Sequence, residues 1–341
     1  MKKALFTLAV GLSLSLPFGK ALAETTTLTL SSWLPPTHPI VADMVVPWIE
    51  QVKEATEGRV DIKLLAKGLG DPKVHYDLAR DGTADVTFGV HGYTPGRFAA
   101  TKIAEFPFLG DSAEAVSVAY WQVHEKYLAQ AGEHEDVKLL SVFAHGPGII
   151  HTRETDVKSV NDLKNVKIRV GGGVVNDVAV ALGTTPLLKP ASQSYEILSS
   201  GVADGIFFPM ESLLSFKLIE LVPHTTVVPG GLYNTSFFLV MNQERFDALS
   251  AEDQAAIEAV SGEAFAKMAG KAWDAADAKG MEAAKANNNT LNTADESFVE
   301  EIRALTSGLE EDWVKTMSDK GVDGTAALAE LRRLVAEYPS E

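Results

Sequence analysis

Apolar and polar positions along this chain change period every ten to fifteen residues, which predicts strands and helices taking turns. Thr26 to Ser32 alternates at period two, and so does Arg59 to Leu65, with Val60, Ile62 and Leu64 on one face. Between them, Pro47 to Thr56 has helical spacing and stops at Gly58. Val74 to Arg80 predicts a short helix, and the turn at Asp81-Gly82 delivers a strand ending near Gly89. A long helix, about Ser112 to Ala131, precedes an apolar strand, Val137 to Phe143, and a sharp break at His145-Gly146-Pro147-Gly148.

The pattern is densest from Val166 to Pro209. A short apolar strand, Val166 to Val170, carries Arg169 near its end. Gly171 to Gly173 follow, then a helical pattern at Val174, Val178 and Leu182, then a second helix, Gln193 to Ser200, and a strand, Gly205 to Phe208. Beyond it, Glu211 to Leu221 predicts a helix, Thr225 to Val228 and Thr235 to Asn242 predict strands, and Ser250 opens a helix running to Asn287. At about 1.5 Å per residue that helix is long enough to brace a two-domain body. Helices over about 296–320 and 324–337 close the chain.

One unit occurs twice. ARDGTADVTFG (79–89) and LSSGVADGIFF (198–208) share a helix end, Gly, one residue, Ala-Asp and a short strand with Phe. This predicts two topologically similar α/β domains, with chance as the competing explanation for so short a match.

The first residues sharpen the picture. Lys2 and Lys3, an apolar run from Ala4 to Leu16, and Ala21-Leu22-Ala23 read as a signal peptide over residues 1–23, too short for a membrane span. The mature chain of about 318 residues is expected to be soluble and exported. Without Lys2, Lys3 and Lys20, and with no acid lost, the net charge of −16 becomes −19, which argues against nucleic acid and anionic membranes as partners. There is no cysteine, so disulfides, thiolate catalysis and thiolate metal sites are excluded.

Catalytic and cofactor patterns are weak. The eight histidines form no close cluster, and the glycines at 171–173 fit neither dinucleotide nor Walker spacing, so no cofactor or metal is expected. Binding signals are better. Arg169 stands at the carboxyl end of a strand, where α/β folds keep ligands and where a guanidinium can hold a carboxylate through two parallel hydrogen bonds. The competing role is a salt bridge, with Glu211 or Asp177. Trp33, His91, Tyr93, His145, Phe207, Phe208 and Tyr233 lie at or just beyond strand ends and suit the walls of a small-molecule cleft, with core packing the alternative for each. With Arg169 and Glu211 they are the candidate site.

Asp162-Leu163-Lys164, Lys167-Ile168-Arg169-Val170, Leu182-Gly183 with Pro186, Tyr195, and Gly201-Val202-Ala203-Asp204-Gly205 resemble, in order and spacing, the extracytoplasmic solute-binding subunits of TRAP transporters, the DctP-like family. Gly58-Arg59-Val60, Gly70-Asp71 and Asp81-Gly82 with Ala84-Asp85 match as well. The resemblance implies two α/β domains closing on ligand like a clam, a long helix bracing both, an arginine at position 169 that binds the ligand's carboxylate, and membrane subunits as partners. Pocket positions fall on Trp33, His91 with Tyr93, and Phe208. Four departures stand out: Gly171 replaces the usual proline, Phe207-Phe208 the frequent Glu-Asn, Trp33 an asparagine, and the region around Pro147 lacks a second pocket arginine. They point to a ligand smaller or less polar than a sugar acid: a monocarboxylate, an aromatic or keto acid, or a zwitterion.

The expectation is therefore a monomeric periplasmic solute-binding protein for a small organic acid. Domain I should hold 24–149 with about 235–276, and domain II 150–234 with about 277–341. The rival readings are an exported α/β enzyme using Asp85, His91 or His145, and the ligand-binding partner of a sensor.

Overall fold

The computed structural model describes residues 25–339; the expected signal peptide at 1–23 lies outside them. In chain order the strands are β1 (Thr26–Ser31), β2 (Val60–Leu64), β3 (Val86–Val90), β4 (Lys138–Ala144), β5 (Ile149–Thr152), β6 (Lys167–Val170), β7 (Thr185–Leu188), β8 (Gly205–Phe208), β9 (His224–Val227), β10 (Ser236–Met241) and β11 (Thr290–Thr293). They form two sheets, and each sheet centres one lobe of an α/β molecule. The first has the order β2-β1-β3-β10-β4, the second β11-β9-β5-β8-β6-β7. Strands β10 and β5 run antiparallel to their neighbours; the other pairs are parallel.

The repeated Gly-x-Ala-Asp has one structural role in both lobes. Asp85, just before β3, accepts the Thr29 backbone N–H of β1 at 2.7 Å. Asp204, just before β8, accepts the Lys167 N–H of β6 at 3.0 Å. In each lobe the carboxylate locks the register of the parallel pair whose far end carries site residues, β1 with β3 and β6 with β8.

The chain crosses between the sheets at 145–148, at 228–235 and through a helix, Gly262–Ala286. The first two crossings pair: Gly148 N–H donates to Tyr233 O at 2.7 Å and Leu232 N–H to Gly148 O at 3.0 Å. The helix buries Phe265 and Trp273 in the core of the first lobe and Ala284 in that of the second, so it braces both. Its 25 residues span about 37 Å.

Several elements differ from the expectation. The brace is not continuous from Ser250. A separate helix, Ala251–Ala259, ends, and Gly262 restarts the chain at φ +53°, where the Trp121 ring leaves no room for a Cβ. The helix expected over 211–221 closes after one turn, Ser212–Ser215, and that over 296–320 breaks into Glu296–Thr306 and Gly308–Asp319. Strands β5, β7 and β11 are additions. Strand β7 holds Pro186 and lies at the sheet edge, where a missing N–H is tolerated. No helix among the described residues is long and apolar enough to cross a membrane.

Candidate ligand-binding site

On β6, Ile168 and Val170 turn into the core, so Arg169 faces the other way, toward the junction of the lobes. It is 1% exposed. Its Nε and Nη2 both donate to Lys189 O, at 2.9 and 2.6 Å, which fixes the guanidinium plane. The plane lies 4.4 Å from the centre of the Phe208 ring. Neither of the expected salt-bridge partners reaches it. Glu211 accepts the hydroxyls of Ser212 and Ser215, at 2.6 and 2.5 Å, and Asp177 pairs with Lys102 at 3.3 Å. Among the described residues no carboxylate compensates Arg169. Burial lowers its pKa from the ordinary value, but a guanidinium keeps its proton in proteins. A buried charge without a counter-ion is costly, and a bound anion removes that cost.

Around Arg169 the lobes close a cavity of about 40 Å³, far below the ~300–1,000 Å³ of ordinary ligand pockets. Residues of the two lobes thus meet closely around Arg169. From the first lobe come Trp33, just past β1, and Tyr93, just past β3; from the second come Arg169, Phe208 and Glu211. His145 and Tyr233, from the two paired crossings, form the floor. The Tyr93 hydroxyl accepts the Ala191 N–H across the junction at 2.9 Å, which leaves its own hydrogen for another acceptor. Tyr233 donates to Phe207 O at 2.8 Å. Burial pushes the His145 imidazole down to about 4, so it is neutral, and its Nδ1 is spent on Gly146 O at 2.5 Å.

Two candidates lie outside this cavity. Phe207 follows Ile206 and precedes Phe208 on β8, so the pleat sends it to the opposite face, into the core, with no exposure. His91 is turned into a buried cluster. Its Nδ1 bonds Ser236 Oγ at 2.7 Å and its Nε2 bonds His134 Nε2 at 2.9 Å, with the Phe98 and Phe238 rings edge-on. Burial pushes it down to about 3. Both are packing residues here.

The glycine run is a contact between lobes. Gly92, beside Tyr93, faces Gly172, and a Cβ on Gly92 would stand 2.7 Å from the Gly172 carbonyl. Gly172 itself has φ +96°. The first N–H of the helix that follows, Val174–Ala181, is already taken: it donates to the Glu105 carboxyl at 2.8 Å.

Four aromatic cavity residues escaped sequence reasoning: His38, Phe216, Phe237 and Trp273. His38 lies in the same strand-end loop as Trp33, and the rule that singled out Trp33 reaches it. Phe216 stacks on Phe208, 5.5 Å between centres and 19° apart, from the turn after Ser212–Ser215. Trp273 sits mid-helix, where a cavity-lining indole and a core indole look alike. The Nε1 atoms of Trp33 and Trp273 are buried with no hydrogen-bond partner among the described residues. The site is thus one unpaired cation, aromatic walls, and N–H and O–H donors with spare hydrogens.

The chain matches, over residues 30–318, the family model DctP, described as bacterial extracellular solute-binding protein, family 7. It is 47% identical to a TRAP periplasmic solute-binding protein of Bordetella bronchiseptica solved with (R)- and (S)-mandelate, with a TM-score of 0.90 over 92% of this chain and 100% of that one. It is 31% identical to a TRAP solute-binding protein of Rhodoferax ferrireducens in complex with copurified benzoate, with a TM-score of 0.86 over 92% and 98% of the two chains. It is also 31% identical, over 90% of each chain, to the Comamonas testosteroni protein named outer membrane transporter protein TsaT.

Proposed function

This chain belongs to bacterial extracellular solute-binding protein family 7, the DctP family, and on that premise we propose that it captures an aromatic monocarboxylate between its lobes. Arg169 carries the reading: one buried cation with no carboxylate beside it among the described residues asks for one carboxylate from the ligand. The Tyr93 hydroxyl and the Trp33 indole, whose ring centres are 5.8 Å apart, add donors to that carboxylate. Phe208, Phe216 and Phe237 take the ring. Both solved relatives described above hold aromatic monocarboxylates, which supports the same class here.

The lobes divide at 24–149 with about 235–276 and 150–234 with about 277–341, following the two sheets. Opening admits the acid, and closure brings Gly92 onto Gly172 and Tyr93 onto Ala191, a population shift driven by the contacts the ligand makes only in the shut state. The closed protein delivers its cargo to the membrane subunits of a TRAP transporter, in the periplasm, as the family's extracellular character supports. Asp85, His91 and His145, the candidate bases of an enzyme, are each engaged in structural hydrogen bonds.

The test is thermal melting of protein refolded free of carried-over ligand, against benzoate, phenylacetate, mandelate, succinate, galactonate and ectoine. An aromatic acid at about 100 times its Kd should stabilise the fold by about 2.7 kcal/mol. Stabilisation by succinate, galactonate or ectoine alone would contradict the reading.

A further inference from the structure

A carboxylate held on Arg169 leaves two polar groups of the cavity unused. Glu211 is 2% exposed and lines the cavity. Its carboxyl accepts two serine hydroxyls, at 2.6 and 2.5 Å, and its backbone N–H is taken by Asp277 Oδ1 at 2.8 Å. A carboxyl with two hydrogen bonds still has lone pairs to offer. Trp273 stands one helical turn before Asp277 on the same helix face, is 2% exposed, and lines the same cavity. Its Nε1 donates to nothing among the described residues. Buried donors without an acceptor are rare in folded proteins and ask for an explanation.

We propose that Trp273 Nε1 and Glu211 form a hydroxyl-reading subsite, so that this protein prefers aromatic acids bearing a hydroxyl to the same acids without one. A hydroxyl is the group that satisfies both sides, because its oxygen accepts the indole N–H while its hydrogen goes to a Glu211 oxygen. An ammonium donates to Glu211 but has no lone pair for the indole. A second carboxylate accepts from the indole but brings a second negative charge into a cavity whose lining holds one guanidinium, that of Arg169, already matched by the first. The inference rests on the reading of the cavity as an aromatic-acid site and adds to it the chemistry of the second group.

The experiment is calorimetric titration of the ligand-free mature protein with phenylacetate, mandelate, 3-hydroxyphenylacetate and phenylglycine, the last an isostere of mandelate with an ammonium for the hydroxyl. At least one hydroxy acid should bind tenfold or more tightly than phenylacetate and phenylglycine, and the choice between the two hydroxy acids locates the hydroxyl. In Trp273→Phe and Glu211→Ala the ratio of that hydroxy acid to phenylacetate should fall to threefold or less. Equal wild-type affinity for hydroxylated and unsubstituted acids overturns the proposal, and so does a ratio that survives Trp273→Phe. Those wild-type comparisons decide the matter even if Glu211→Ala does not fold. Failure of every acid to bind contradicts the aromatic-acid reading itself, and this inference with it.

Discussion

The Arg169 guanidinium lies 4.4 Å from the centre of the Phe208 ring, and the same ring stacks on Phe216. Phe208 therefore does two things: it stabilises a buried cation through the negative face of its ring, and it forms a wall of the cavity. Phe208→Ala should weaken binding of an aromatic acid by roughly 1–3 kcal/mol, counting lost ring contact with the cation–π attraction. Titration calorimetry on the folded variant checks this. Unchanged affinity with a lowered melting point would make Phe208 a core residue only.

The proposed closure brings Gly92 onto Gly172, and neither lines the cavity. A methyl on Gly92 would lie 2.7 Å from the Gly172 carbonyl of the opposite lobe. Gly92→Ala should bias the protein toward the open state and raise Kd about tenfold, since apparent affinity falls with the fraction able to close. The ligand-saturated variant should also give a larger radius of gyration in solution scattering than the wild type. Wild-type affinity and compactness would show that the lobes close without this contact.

Acid and base should destabilise the fold by different groups. His38 and His91 are pushed down to about 3, and His124, His145 and His151 to about 4, all by burial. Neutral in the fold and charged when unfolded, they cost stability as pH falls below about 6.5. Glu105 and Glu211 are pushed up to about 7, so their contribution is full below about 4.3 and is lost as pH rises through 7. Each group changes stability by about 1.4 kcal/mol per pH unit where the two states differ. Below pH 6.5 the histidines outnumber the acids, and between 6.5 and 7 only the acids act. Urea midpoints should therefore peak near pH 6.5, with the steeper fall on the acid side. Midpoints that climb steadily to pH 8 would contradict this.

Affinity should follow Glu211 with its own sign. Burial raises its carboxyl to about 7 against the pull of the Ser212 and Ser215 hydroxyls. Above that pH a negative charge appears in the cavity that must accept an anion, so the affinity for a carboxylate should drop at least threefold between pH 6.5 and 8.5. Glu211→Gln should flatten the profile. The same drop in the variant would assign it to another group.

Much of this was legible in the chain. Strands β1, β3, β6 and β8 announce themselves by period, and the repeated Ala-Asp marks the two places where a carboxylate locks a parallel pair. Arg169 stood out because a cation between Ile168 and Val170, just before glycines, needs an anionic partner, and a ligand's carboxylate and a protein carboxylate were both open from the chain alone. What escaped depends on contacts far apart in sequence. Strand β11, Thr290–Thr293, is polar and exists because β9 offers it an edge. The break at Gly262 follows from the Trp121 ring more than a hundred residues away. Phe207 and Phe208 differ only in which way the pleat turns them, and one residue of register decides core from cavity. Trp273 reads as helix core because its role is set by what the second lobe brings against it.

The central claim is that Arg169 is the ligand's counter-ion. Arg169→Met keeps the length of the side chain and removes a buried charge that no carboxylate among the described residues compensates. The apo variant should melt at or above the wild-type temperature, since replacing an uncompensated buried charge with an apolar side chain is neutral or stabilising. Its affinity for the best aromatic acid, measured by titration calorimetry, should fall by about 2–5 kcal/mol, a loss of roughly thirtyfold to several thousandfold. A folded Arg169→Met protein that binds the same acid within threefold of wild type would contradict the account.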